Sequence, residues 1–101
     1  MNSSILLPPL LRETAERYCN LMLRISGADP LEESRIRPVV MARAMVAQAL
    51  LNDGFTGMSV AVILGVDHSS INHYKKIMDA VFNSPGYDTE RDIWRRFSRR
   101  I

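Results

Sequence analysis

Apolar side chains recur at helical spacing along nearly the whole of this chain. Leu11, Ala15, Tyr18, Met22 and Ile25 alternate four- and three-residue steps, which places them on one face of a helix running from Leu10 to about Gly27. Residues 1–9, with their Pro-Pro pair, read as an extended lead-in. Asp29-Pro30-Leu31-Glu32 joins a capping side chain, a proline at the first helical position and an acid three residues from the cap, a combination expected to start a short turn of helix. Val39 to Asn52 is rich in Ala, Met and Leu and has no glycine. It predicts a second helix, central and mostly buried, interrupted by the single charge Arg43, with Pro38 tolerable only in the first turn.

Asn52-Asp53-Gly54 leaves that helix, and Thr56 is placed to cap the next, which runs to about Leu64. Gly65-Val66 makes a tight turn. Asp67 or Ser69 then caps a helix carrying Ile71, Ile77, Met78 and Val81 inward, and Asn83-Ser84-Pro85-Gly86 breaks it. A last amphipathic helix from about Thr89 bears Ile93, Trp94, Phe97 and Ile101, with its arginines mostly on the other side. No segment alternates by two as a strand would. The expectation is an all-α fold, a single compact domain of about five helices, with residues 10–82 as its body and residues 83–101 as an arginine-rich C-terminal helix.

The stretch from Gly57 to Lys76 meets the demands of a helix-turn-helix: apolar residues where two helices meet, a small residue where they cross, glycine in the turn and a branched apolar residue in the second helix. Val60 and Leu64 face inward, Ala61 permits close approach, Gly65 takes a backbone shape that a side chain opposes, and Ile71 with Tyr74 plugs the second helix into the core. The outward positions of that helix are then Asp67, His68, Ser69, Asn72, His73, Lys75 and Lys76. Short polar side chains at a helix N-terminus suit base edges in the major groove, and lysines one or two turns later suit phosphate. Asp67 reads equally as a plain N-cap and as an acceptor from cytosine.

Charge distribution sharpens this picture. Residues 1–33 hold three Arg against five acids, whereas residues 34–76 hold three Arg and two Lys against only Asp53 and Asp67. A second basic cluster, Arg95, Arg96, Arg99 and Arg100, surrounds Phe97 near the end of the chain. Eleven of the thirteen cations are arginine, the residue whose planar fork fits phosphate and base edges. Arg43 on its apolar helix reads either as a structural ion-pair partner or as a phosphate contact, and its expected place near the turn favours contact.

Residues Arg35 to Ile77 resemble the C-terminal DNA-binding domain of the bacterial replication initiator family DnaA. That family opens its recognition helix with Asp-His-Ser/Thr-Ser/Thr-Val and a His three residues later, matched here by Asp67-His68-Ser69-Ser70-Ile71 and His73. Its Arg-Gln on the preceding long helix corresponds to Arg43-Ala44, and its basic loop to Ser34-Arg35-Ile36-Arg37. The helix-loop from Thr14 to Glu33 is similar as well. The resemblance implies that Asp67, His68, Ser69 and Ser70 face bases and backbone in the major groove, that Arg35 enters the neighbouring minor groove, and that Arg43 holds a phosphate. Val66 stands where the family has Arg, and Ala44 where it has Gln, so the same DNA sequence need not be recognised.

Other chemistries find little footing. His68 and His73 are five residues apart, off a common helical face, and no Cys or carboxylate set completes a metal site, so no metal or other cofactor is expected. Asp67, His68, Ser69 and Ser70 contain the residue types of a nucleophilic triad but as helix neighbours cannot take its geometry, so an enzyme is not expected. The sequence holds no Gly-x-x-x-x-Gly-Lys-Ser/Thr loop for nucleotide, no run long and apolar enough for a membrane helix and no basic leader of a signal peptide. Cys19, the only cysteine, reads as a core residue of a cytoplasmic protein. The expected partner is double-stranded DNA, in replication or transcription control. The C-terminal helix is expected either to pack on its own core or to meet a second copy or another protein. The competing function is a protein-interaction adaptor that keeps the fold without binding DNA.

Overall fold

The structure, a computed structural model, describes residues 9–101, which form five α-helices and no strand. They are α1 (Pro9–Ser26), α2 (Arg37–Asn52), α3 (Gly57–Leu64), α4 (Ser69–Asn83) and α5 (Asp88–Ser98). The lead-in expected for residues 1–9 lies outside the described residues except for Pro9, which is instead the first residue of α1. Proline costs no helical bond there, because the N–H it lacks would be unpaired anyway.

α2 is the axis of the domain and packs against each of the other four helices. Ala44, Met45, Val46 and Ala47 are four successive residues without exposure, so this helix is buried on all sides around its middle. It begins two residues earlier than the periodicity predicts, at Arg37, with Pro38 inside its first turn. Between α1 and α2 the short helical turn expected at Asp29 is a single hydrogen-bonded turn. The Glu32 N–H reaches the Asp29 carbonyl at 3.1 Å and the Leu31 N–H reaches the Asp29 carboxylate at 2.9 Å.

The two ends of α3 follow from single residues. Thr56 caps its start, Oγ1 accepting from the Ser59 N–H at 3.1 Å. Gly65 ends it in the left-handed region, φ 70° and ψ 33°. The Gly65 N–H returns to the Val62 carbonyl and the Val66 N–H to the Ala61 carbonyl, at 3.1 and 2.9 Å, the paired bonds of a Schellman ending.

At the start of α4 the capping expectation is corrected. Neither Asp67 nor Ser69 caps through its side chain; His68 occupies the cap position in helical conformation, φ −58° and ψ −35°. The backbone has taken the role over: the Asp67 carbonyl accepts the Ser70 N–H at 2.9 Å and the His68 carbonyl accepts the Ile71 N–H at 3.1 Å, closing a tighter first turn. The Asp67 carboxylate accepts from the Ser69 hydroxyl instead, at 3.3 Å.

α5 belongs to the same core. Phe97 is fully buried, its ring edge-on to Tyr18 with centroids 5.7 Å apart and tilted against Trp94 at 5.9 Å. Trp94 in turn meets Phe82 of α4 edge-on at 5.6 Å. Arg91 closes the end of α4 by donating to the Val81 and Ser84 carbonyls, both at 2.9 Å. Across the domain, the Tyr18 hydroxyl donates to the Asp53 carboxylate at 2.5 Å, tying α1 to the end of α2. Among the described residues no helix is long and apolar enough to cross a membrane.

Candidate nucleic-acid interface

The helical step of about 100° per residue sorts α4 into two faces. Ile71, Tyr74, Met78 and Val81 turn inward and are buried. Ser69, Asn72, His73 and Lys76 fall on the opposite side and are all exposed. Lys75 is exposed on one flank of that face, and Ser70, half-buried, lies on the other. His68 sits just ahead of the helix with its imidazole against the first turn of α3, so that a Cβ added to Gly57 would stand 3.4 Å from its Nε2.

Beside this face an open groove of about 680 Å³ runs between the first turns of α2, the segment before it and the start of α4. Arg35, Arg37, Arg43, Asp67, Ser70 and His73 contribute to its walls. The fold therefore gathers six of the sequence-derived candidates around one concavity, three of them arginines against a single carboxylate. His68, Ser69, Asn72, Lys75 and Lys76 lie outside it.

The three arginines differ in what they already hold. Arg35 is exposed and makes no ion pair among the described residues, and the same is true of Lys75 and Lys76. Arg37 is paired within the fold: its Nε meets the Glu90 carboxylate at 3.2 Å, and its guanidinium lies 5.2 Å from the centre of the Tyr87 ring. Arg43 is engaged further. Its Nε donates to the Pro30 carbonyl at 2.9 Å, one terminal nitrogen donates to the Glu32 and Ser34 carbonyls, the latter at 3.2 Å, and the other lies 3.5 Å from the Tyr74 hydroxyl. Four of its five N–H donors face protein. Of the two readings open for Arg43, structural partner and phosphate contact, these bonds favour the first, although its partners are carbonyls rather than the carboxylate expected of an ion pair.

No known protein family, curated protein or solved structure matches this chain. The resemblance to DnaA thus rests on the residues that carry it.

Three participants at this site are not legible as such in the sequence. Tyr74 reads as a core plug, yet its hydroxyl reaches the groove and meets Arg43. Tyr87 and Glu90, at the start of the last helix, carry no sequence signal that ties them to Arg37, yet they hold it. Each pairing joins residues dozens of positions apart, and no local pattern announces it. Among the described residues, no three His, Cys, Asp or Glu side chains converge as metal ligands would.

Proposed function

We propose that this chain binds double-stranded DNA sequence-specifically, with α3 and α4 as a DnaA-like helix-turn-helix and α4 as the reading helix, in control of replication or transcription. The observation that carries the reading is the exposed face of Ser69, Asn72, His73 and Lys76 on α4, beside an arginine-lined groove and set against α3 by the Gly65 turn. A B-form major groove admits one α-helix, and hydroxyl, amide and imidazole groups complement the donors and acceptors of base edges. Lys75, Lys76 and Arg35, uncommitted among the described residues, supply cations for phosphate or the minor groove. The role is binding rather than catalysis, and it requires no cofactor.

Selection of bound duplexes from a random pool, followed by anisotropy titration of the enriched sequence at several salt concentrations, tests this. The expected result is an enriched sequence whose affinity falls linearly with the logarithm of salt. Absence of enrichment would refute specific reading.

One observation favours the adaptor as a second reading. α3 leaves Met58 and Val62 64% and 59% exposed, four residues apart on one face, and exposed apolar groups so placed suit a protein partner. Met58→Lys and Val62→Lys would then abolish partner capture while leaving the fold intact.

A further inference from the structure

We infer that Arg43 is a positioning residue: it fixes the Asp29–Ile36 segment, and Arg35 with it, against the reading helix, and it does not itself meet phosphate. The consequence for DNA rests on the function proposed above, whereas the hold on the segment stands apart from it. The segment has little of its own to keep it in place. Its internal bonds are the turn at Asp29 and one bond from the Ile36 N–H to the Ser34 hydroxyl at 3.2 Å, and Leu31, Glu32, Glu33, Arg35 and Ile36 are all exposed. Only Pro30 is fully buried.

Arg43 supplies what is missing. Projecting from the second turn of α2, it gathers the carbonyls of Pro30, Glu32 and Ser34, every second residue along the segment, and its remaining arm reaches the Tyr74 hydroxyl on α4. A guanidinium is planar and its donors diverge at fixed angles, so one side chain sets three carbonyls and a helix relative to one another. The ammonium of a lysine is a single rotatable point and cannot. Arg35 follows directly on Ser34, whose carbonyl is held. On its other side the chain is fixed where the Ile36 carbonyl accepts the Val40 N–H at 3.1 Å. The Arg35 backbone is therefore tied through Arg43 to α2, which itself packs on α4, with the Tyr74 hydroxyl 3.5 Å from the guanidinium. A phosphate would have to displace these carbonyls to reach Nε or the terminal nitrogen that holds Glu32 and Ser34.

The test has two arms. In the free protein, backbone amide exchange is measured at Leu31, Glu32 and Ile36 for wild type, Arg43→Lys and Tyr74→Phe, the last keeping the buried ring. The expected result is exchange faster by about tenfold or more at these amides in Arg43→Lys, a smaller increase in Tyr74→Phe, and unchanged protection in the middle of α2. Unchanged exchange in the segment for both variants overturns the inference, whether or not the protein binds DNA.

In the second arm, duplex affinity is measured for Arg35→Ala, Arg43→Lys and the double variant, with Lys76→Ala as the comparison. Positioning makes the double variant no weaker than Arg35→Ala alone, while the loss from Lys76→Ala multiplies with either. A double variant weakened by the product of the two single losses means that Arg43 acts independently of Arg35, and overturns the positioning role. If wild type binds no duplex, the proposed function fails and the exchange arm alone decides whether Arg43 holds the segment.

Discussion

Truncating Phe97 to alanine tests whether α5 is part of this domain or a surface waiting for a partner. The ring is fully buried among Tyr18, Trp94 and the inner faces of neighbouring helices. Replacing a buried Phe by Ala typically costs about 3–5 kcal/mol, the transfer free energy plus a term for the cavity left behind. Two edge-on or tilted ring contacts are lost as well, each worth about 0.5–1.5 kcal/mol beyond area. Against this, α5 is the last described helix and can settle partly into the space, which places the expected cost near the low end, about 3 kcal/mol. For a domain of this size that lowers the melting temperature by roughly 12–24 °C. Urea titration at several protein concentrations is the assay. The midpoint is expected to fall with little change in slope and no dependence on concentration. Ile101→Ala, at a residue 40% exposed, should stay within about 0.5 kcal/mol of wild type. A loss below about 1 kcal/mol for Phe97→Ala, far under the usual cost, together with a concentration-dependent midpoint in wild type, would mean that α5 packs on a partner and would refute the reasoning.

Three further outcomes are expected. Gly65→Ala should cost about 1–2 kcal/mol by chemical denaturation, because φ is 70° there and a new Cβ meets nothing within 4 Å, so the penalty is purely conformational. Tyr18→Phe should cost about 1 kcal/mol at neutral pH for the lost bond to Asp53. Burial first, and that bond second, raise the Tyr18 pKa above its ordinary 10.0. Its contribution is therefore complete below pH 10 and lost as pH rises through the folded value, and the gap between wild type and Tyr18→Phe should close in urea titrations taken above pH 10. Burial, with a smaller push from Asp29, raises the Cys19 thiol to about 12, so its reaction with a disulfide reagent at pH 8 should proceed only through unfolding and accelerate with denaturant. Fast labelling of the native protein would contradict that burial.

What was legible in the sequence is what local chemistry decides. Thr56 and Gly65 bound α3 because a hydroxyl and a left-handed glycine act on residues within one turn. The apolar spacing of Leu11 to Ile25 and of Ile71 to Val81 located α1 and α4 because burial on one face needs nothing else. The start of α4 was less legible, since a backbone carbonyl and a capping carboxylate compete for the same N–H and the choice depends on the turn. Least legible were the partners of Arg37 and Arg43. Pattern shows that an arginine interrupts an apolar helix, but whether its donors meet carbonyls or solvent depends on where a segment ten residues away folds back. The C-terminal helix was ambiguous for a similar reason: an amphipathic stripe specifies that something covers it, and the identity of the cover is a tertiary fact.

The most direct measurement of the central claim is the sequence preference of the Ser69→Ala/His73→Ala double variant against wild type, read by selection and by salt titration together. If α4 is the reading helix, each lost base contact costs about 1–3 kcal/mol on the preferred site and little on others, so the preference relaxes. Lys75→Ala, in contrast, should weaken all sequences alike and flatten the slope of log affinity against log salt by about one unit. Arg35→Ala should weaken A·T-flanked sites more than G·C-flanked ones if its arm enters a narrow minor groove. Unchanged selectivity in the double variant, with every slope at its wild-type value, would contradict the account and show that this face of α4 does not meet DNA.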